Sequence, residues 1–481
     1  MKNLILFIVS MVIFNRSVSQ IIDSSFGTNG IVVTDLTLNV DALHAMKLQP
    51  DGKIIATGFS NNKLTLVRYK SNGLLDSAFG INGIAATNFS CNFSSPYEVS
   101  LLPNGKILLL CANASSMLLT RHNANGSLDS SFGENGVANI SQAVPMAYCT
   151  SMSVVADNKI FVAGAISYDS IFLIKYNADG HIDVAFGKQG YVKTKMPEGY
   201  SSITTEDFCI QTNGDIFIAG NVSNQTTGYY DFFLCKINAN GTLDQSFGNG
   251  GFKVTDVDGA NVNDYAGSIE PGPAGKLLLS GASNTNFILA MYNVDGTLDT
   301  TFGTKGITRV NVGGIYRKCA DMVMEPNGKV VLAGYIGDDF GSVRINGNGV
   351  IDSSYGTNGI FRIDFGNSYE YSNVIIRQPD DKFVMGGWTS YFCADRAFAL
   401  IRFSASSTAL YWTGNVSDVW ENPVNWNPNK IPDAGSRVII PSAAPWFPKI
   451  SVSTEVNSIQ LKPGSMVNCN SGVVLKVNDG N

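Results

Sequence analysis

Gln49-Pro50-Asp51-Gly52-Lys53-Ile54-Ile55-Ala56-Thr57-Gly58 contains, in ten residues, a turn and the apolar strand that leaves it. An Asp-Gly pair supplies the positive φ angles of a tight hairpin, and the proline fixes the chain on entry. Ala42 to Gln49 and Lys53 to Phe59 are therefore expected to be antiparallel neighbours. A third strand, Lys63 to Tyr69, alternates apolar and polar residues as a half-buried strand does. A second turn, Lys70 to Gly73, leads through Asp76-Ser77-Ala78-Phe79-Gly80 to a fourth strand from Gly83 to Thr87.

Both landmarks recur down the chain. The first turn returns at Leu102 to Lys106, Ala156 to Lys159, Thr212 to Asp215, Pro273 to Lys276, Pro326 to Lys329 and Pro379 to Lys382. The aromatic-glycine loop begins at Asp23, Asp76, Asp129, Asp183, Asp244, Asp299 and Asp352. Equivalent turn positions at 52, 105, 158, 214, 275, 328 and 381 are 53, 53, 56, 61, 53 and 53 residues apart, so there are seven copies. Four antiparallel strands per copy is the make-up of a propeller blade. The chain enters on a fourth strand, Gly30 to Leu36, and the seventh unit stops at its third, Ala397 to Phe403. That phase predicts an all-β, seven-bladed β-propeller of four-stranded antiparallel blades closed by the N-terminal strand, which leaves no open sheet edge.

Within each loop the Phe is expected to plug the crevice between blades, the Gly to adopt a conformation closed to other residues, and the Asp to close a side-chain turn. Cation ligation by these aspartates would need companion oxygen ligands that a single carboxylate per loop does not bring. No metal site and no cofactor are expected.

These residues resemble the delta-60 repeat, a β-propeller repeat of exported bacterial proteins. Gln49 to Gly58, Leu66-Val67-Arg68-Tyr69, Tyr176-Asn177-Ala178-Asp179-Gly180 and Leu128 to Gly133 carry the likeness, over about residues 20 to 404. The resemblance implies an exported propeller and brings no catalytic residues with it.

The repeat stops after Phe403, and four of the five tryptophans fall in the last 72 residues. Residues 405–481 read as a separate Trp-rich module of brief strands around Trp412, Trp420, Trp426 and Val438-Ile439-Ile440. It is similar to a β-solenoid-like module of secreted Bacteroidetes proteins. In that setting a type nine secretion sorting domain often follows, and none is visible before Asn481. Residues 1–19 read as a signal peptide: Lys2, an apolar run from Leu4 to Phe14, then Ser17 and Ser19 at −3 and −1. This gives three expected parts: leader 1–19, propeller 20–404 and C-terminal module 405–481. No later run reaches membrane-spanning length, so no membrane span is expected after the leader is removed.

A net charge of −6 without a basic cluster excludes nucleic acid as a partner. Most of the eight cysteines lie in apolar strand patterns and read as buried thiols; Cys91 and Cys111, placed at one end of a hairpin, are the candidate disulfide. Of the three histidines, His44 lies in a first strand, His122 replaces a repeat tyrosine and His181 sits in a turn. None is spaced as a metal ligand.

Departures from the repeat point to function. From the turn to the end of the third strand the usual interval is 17 or 18 residues, but it is 23 in unit four and 22 in unit seven. Both lengthen the loop between strands two and three, where Tyr229, Tyr230 and Phe232, and Trp388, Tyr391 and Phe392, are the candidate ligand-binding residues. The expected function is that of a monomeric, secreted, non-enzymatic binding or structural protein, engaging a glycan or a protein at the cell surface or outside the cell. The alternative is an extracellular polysaccharide lyase or hydrolase with its site on one propeller face. No catalytic residue is assigned.

Overall fold

Hairpin turns at a 53-residue spacing fold each unit onto itself before it meets its neighbour, and strands accordingly pair in chain order within every blade. The structure, a computed structural model, describes residues 21–37, 40–90, 98–112, 116–145, 147–259, 261–314, 317–366, 369–391, 395–404, 409–427, 431–433, 436–442, 444–456 and 458–477. Blade one consists of Asp41–Leu48, Ile54–Ser60, Lys63–Tyr69 and Ile84–Ser90, counted from the centre outward. Five more blades repeat it. The seventh takes Tyr369–Arg377, Lys382–Tyr391 and Asp395–Ser404 from the end of the repeat and Ile31–Thr34 from its beginning, with Ile31 opposite Ile401 and Thr34 opposite Phe398. The innermost strands pack one on the next around the ring, that of blade seven onto that of blade one, where Asn373 Nδ2 donates to Leu43 O at 2.8 Å. Closure by the N-terminal strand is therefore observed as the phase of the repeats predicts.

The apolar core lies between blades. Leu110, Leu119 and Phe132 of blade two, for example, are buried against Val162, Phe172 and Ile174 of blade three. A bulge interrupts the first strand in several blades, between Leu43 and Ala45, Thr205 and Asp207, and Cys319 and Asp321 among others. Glycine faces the bulge from the second strand because a Cβ on Gly58 or Gly334 would collide with the carbonyl of Ala42 or Lys318. The bulge also re-aims the residue that follows it, which matters for the channel described below.

A second contact fastens blade to blade. Phe79, Phe132 and Tyr355 are fully buried, and Phe186, Phe247 and Phe302 nearly so. In blade one, Asp76 Oδ1 accepts the Ala78 amide at 3.3 Å, closing the expected side-chain turn, while Oδ2 meets Arg68 Nε at 2.8 Å and Lys53 Nζ at 3.2 Å. The same Arg68 lies over the Phe79 ring, 4.6 Å from its centroid, and donates to Ala124 O of blade two at 2.8 Å. Beside it the Gly80 amide donates to Asn125 O at 3.0 Å. Gly126, at φ +90°, lies against the Phe79 ring, and any Cβ there would meet the ring at 2.8 Å. Arg121, Asp129 and Phe132 repeat this arrangement from blade two to three. Arg402 and Phe26 repeat it from seven to one, with Gly27 N donating to Asn72 O at 2.7 Å. Asp76, Asp129, Asp183, Asp244, Asp299 and Asp352 thus meet cations that the protein itself supplies.

The described residues divide into two compact units, those of 24–353 with 358–402, and those of 403–477 with 21–23 and 354–357. In the second, Ala409–Trp412, Arg437–Ile440 and Ser458–Leu461 pair in parallel, and Thr454–Val456 pairs in parallel with Leu475–Val477, Thr454 opposite Leu475. Parallel pairing between segments about two dozen residues apart is solenoid geometry. Trp412, Trp420 and Trp426 form its core, with ring centroids of 4.9 Å for Trp412 and Trp426 and 4.7 Å for Trp420 and Trp426, whereas Trp446 is exposed.

Cys149, Cys209, Cys235 and Cys319 are buried thiols, and burial pushes Cys319 up to about 12. Cys111 is buried as well; Cys91, its candidate partner, lies outside the described residues, as does the leader 1–19. Among the described residues no helix is long and apolar enough to cross a membrane.

If the interlocking aromatic holds the blades together, Phe132→Ala should lower stability by about 3–5 kcal/mol, the usual loss for a buried aromatic truncated to alanine. Urea unfolding of the two proteins followed by tryptophan fluorescence measures it, and a loss below about 1 kcal/mol would contradict the assignment.

Candidate functional site

Antiparallel pairing in chain order fixes which loops share a face. Turns joining strands one to two and three to four lie at one end of the blades. The loops joining strands two to three, and each blade to the next, lie at the other. The second face is rich in tyrosine: Tyr148, Tyr168 and Tyr265 are each about half exposed or more, and Tyr335 and Tyr371 are half-buried there.

On this face opens the central channel, a cavity of 1740 Å³ whose walls include His44, Glu98, Glu206, Lys318, Tyr371 and Trp388. Pairing with the second strands places Ala45, Glu98, Ser151, Asp207 and Asp321 at one level of the innermost strands, opposite Thr57, Leu110, Ala163, Ala219 and Ala333. Lys47 and Glu270 stand together at a deeper level, opposite Ile55 and Leu278. Two of the channel acids hold the ring together. Asp207 accepts from Ser151 Oγ of blade three at 2.8 Å and from Ile269 N of blade five at 3.0 Å. Asp321 accepts from Ile375 N of blade seven at 2.9 Å.

The remaining charges face the channel. Lys47 Nζ lies 3.9 Å from Glu98 Oε1. Burial pushes the Glu98 carboxyl up to about 8, against the attraction of Lys47, and it pushes Glu270 up to about 7 with help from the like charges of Asp207 and Asp321. Asp321 is raised to about 6 by burial. Burial alone would lower Lys47, but the acids Glu98, Asp321, Asp207 and Glu270 outweigh it and raise it.

At the mouth the balance changes sign. Tyr371 stacks on Trp388 with centroids 4.5 Å apart, Tyr335 meets Tyr371 edge-on at 4.2 Å, and the Arg396 guanidinium lies over the Trp388 ring at 4.1 Å. His44 is pulled down to about 4 by burial and by the charges of Lys318 and Arg396, so it is neutral at physiological pH. On the side of blades three and four, Glu206 accepts from Asn221 Nδ2 at 3.0 Å and is raised by burial. Tyr148, nearby, is raised by burial and by Glu206.

The residues singled out from the sequence separate. Trp388 lines the channel mouth. Tyr229 and Tyr230 are half-buried on the blade-four hairpin, which the insertion extends by continued pairing, Tyr230 opposite Ser223; the Tyr230 ring packs on Tyr265 at 5.8 Å. Phe232 is fully buried in the core between blades four and five, because alternation along the strand turns it inward next to Gly281. Tyr391 ends the second strand of blade seven and Phe392 lies outside the described residues. The two aromatic sets make separate contacts, one with blade five and one within the mouth. The channel acids were not singled out, although charged residues in an otherwise apolar first strand, aligned across the repeats, carry that signal.

Segments 49–79, 156–186, 211–247, 273–302 and 325–355 match a family described as a domain of unknown function, DUF5122, beta-propeller. No curated protein matches the chain. Among solved structures, a protein of unknown function from Dyadobacter fermentans is 12% identical with a TM-score of 0.41, covering 78% of this chain and 98% of that one. A polysaccharide lyase of family PL25, an ulvan lyase, is 10% identical with a TM-score of 0.47, covering 80% and 96%. Drosophila plexin A, in complex with semaphorin 1b, is 10% identical with a TM-score of 0.42, covering 76% and 87%. At such identities the likeness concerns the fold.

The raised channel acids set a pH dependence. A carboxyl that binds its proton more tightly folded than unfolded weakens the fold progressively as pH rises from its unfolded value, 4.5 for Glu98, to its folded value of about 8. Glu98→Gln should therefore flatten the fall in thermal midpoint across that interval and raise the midpoint by a few degrees above it. A pH series of melting curves checks this; parallel curves for variant and parent refute it.

Proposed function

We propose that this is an exported propeller protein that binds an acidic glycan at the channel mouth on the face of the strand-two-to-three loops. The observation that carries the reading is the pairing of the Tyr371–Trp388 stack with Lys318 and Arg396 at one end of the channel. Sugar rings present apolar faces that pack on tyrosine, and a uronate carboxylate or a sulfate ester suits an exposed lysine beside a guanidinium. Arg396 positions the platform from behind: it covers one face of Trp388 and adds positive charge. The acids deeper in the channel repel an anion and keep such a ligand at the mouth. The leader-like segment 1–19 supports placement outside the cell or at its surface.

A second reading, cleavage of the same glycan, is favoured by the neutral His44 and by Tyr148 beside Glu206 at that mouth. In an elimination, a base takes the proton on the carbon next to the uronate carboxylate. The bond to the departing sugar oxygen then breaks, a carbon–carbon double bond forms, and the departing oxygen takes up a proton.

Calorimetric titration of the full chain with polyuronate, sulfated and neutral oligosaccharides separates these outcomes. Binding should be confined to the acidic ligands, be lost in Lys318→Gln and Tyr371→Ala, and survive Tyr229→Ala with Tyr230→Ala. Equal binding of neutral ligands, or loss only in the blade-four pair, would move the site away from the mouth. The growth of ultraviolet absorbance from an unsaturated product, abolished in Tyr148→Phe or His44→Gln, would identify cleavage.

A further inference from the structure

Three carboxylates meet where blade four hands over to blade five, on the loop face but away from the channel. Asp231 lies near the start of the third strand of blade four (Tyr230–Ile237), Asp256 directly after its fourth (Phe252–Thr255), and Asp264 opens the first strand of blade five (Asp264–Pro271). One oxygen from each lies within 4.8 Å of the other two. Asp231 is 8% exposed and Asp264 0%, while Asp256 faces solvent.

The fold holds these groups with too few donors. Asp264 Oδ2 accepts the Val257 amide at 2.6 Å, but its Oδ1 is fully buried and receives no hydrogen bond. The Ser283 hydroxyl beside it gives its one hydrogen to Asp258 Oδ2 at 2.7 Å, and Arg309 Nε is committed to Asp258 Oδ1 at 2.6 Å. A buried carboxylate oxygen left without a donor in a cluster of negative charge is a costly arrangement unless a cation completes it.

The repeat contains its own comparison. Two blades further on, Asp339, Asp364 and Glu370 form a second cluster, also with one oxygen from each within 4.8 Å of the others. Strand register makes the positions equivalent: Phe232 pairs with Thr255 as Phe340 does with Ile363, and Asp264 pairs with Ser283 as Glu370 does with Thr389. At that junction Arg362 forms an ion pair with Asp339, and both oxygens of Glu370 accept from the Phe365 amide at 2.8 and 2.9 Å. The residue equivalent to Arg362 in blade four is Val254, which carries no charge.

We propose that Asp231, Asp256 and Asp264 bind one calcium-class divalent cation, which occupies at the junction of blades four and five the place that the Arg362 guanidinium takes between blades six and seven. An all-oxygen donor set selects a hard cation over zinc or copper, which favour nitrogen and sulfur. Oxygens bound to one Ca²⁺ at about 2.3–2.6 Å lie up to about 5 Å apart, so three oxygens within 4.8 Å of one another fit its shell. The exposed Asp256 leaves a path for entry and room for water ligands.

The full chain, freed of metal by a chelator and dialysed, should take up one Ca²⁺ per molecule by equilibrium dialysis with elemental analysis, and its thermal midpoint should rise on adding Ca²⁺. Asp231→Asn should lose both effects. Val254→Arg, which installs the arginine of the equivalent junction, should lose calcium uptake while melting in chelator no lower than the parent; this variant decides the matter if the asparagine variant fails to fold. Absence of calcium uptake by the parent, or uptake undiminished in Val254→Arg, overturns the proposal.

Discussion

One hydrogen-bonded clasp governs the propeller. In most blades an arginine or lysine from the third strand pairs with the loop aspartate of its own blade, and in several it lies over the loop aromatic and reaches a carbonyl of the next blade's turn, as Arg68 does to Ala124 O; blade five has Met291 at that position, and Lys276 meets its aspartate Asp299. Each component needs the others. The aspartate holds the cation in line, the cation covers the ring, and the ring demands a glycine opposite it, Gly126 against Phe79. Because the clasp joins a blade to its successor, its repetition propagates around the ring, and Arg402 and Phe26 complete it between blades seven and one. A sheet that cannot bury its faces alone becomes stable only in company, which is why the repeat has to close or be capped.

With the rims clasped, the innermost strands are free to carry chemistry. Their bulges point Asp207 and Asp321 at backbone amides of the following blade, so two of the channel's acids are fastened into the frame. Glu98, Glu270 and Lys47 occupy the same lining, with Lys47 of blade one 3.9 Å from Glu98 of blade two. The result is an acidic channel beneath a mouth where Lys318 and neutral His44 share the lining with Tyr335, Tyr371 and Trp388, and Arg396 covers the Trp388 ring. The site and the frame are thus built from equivalent positions of one repeat, distinguished by single substitutions. The two carboxylate clusters at the blade junctions follow the same logic, with Arg362 present in one and Val254 in the other.

Legibility of the fold in the sequence follows from how local its signals are. Pro-Asp-Gly turns and the Asp-x-x-Phe-Gly loop act within a few residues, so blade number, strand order and the origin of the last strand can be read directly from Gly52, Phe79 and their repeats. The candidate site was legible only in part. Trp388 was identified from the length of its loop and does reach the channel, but Phe232, chosen on the same ground, is turned into the core by strand alternation. Its partners at the mouth, Tyr335, Tyr371, Lys318 and Arg396, come from blades six and seven and carry no mark in the linear sequence.

The sequence by itself determined the repeating unit, its seven copies, the closing strand and the aromatic, glycine and aspartate of each interblade loop, because each depends on turn chemistry and periodicity within about fifty residues; the cation that completes the clasp emerged only from the structure. Tertiary structure alone decided which charges share a channel and which carboxylates meet at a junction. Those neighbours are set by ring closure and strand register, which bring together residues such as His44, Lys318 and Arg396 from opposite ends of the repeat array.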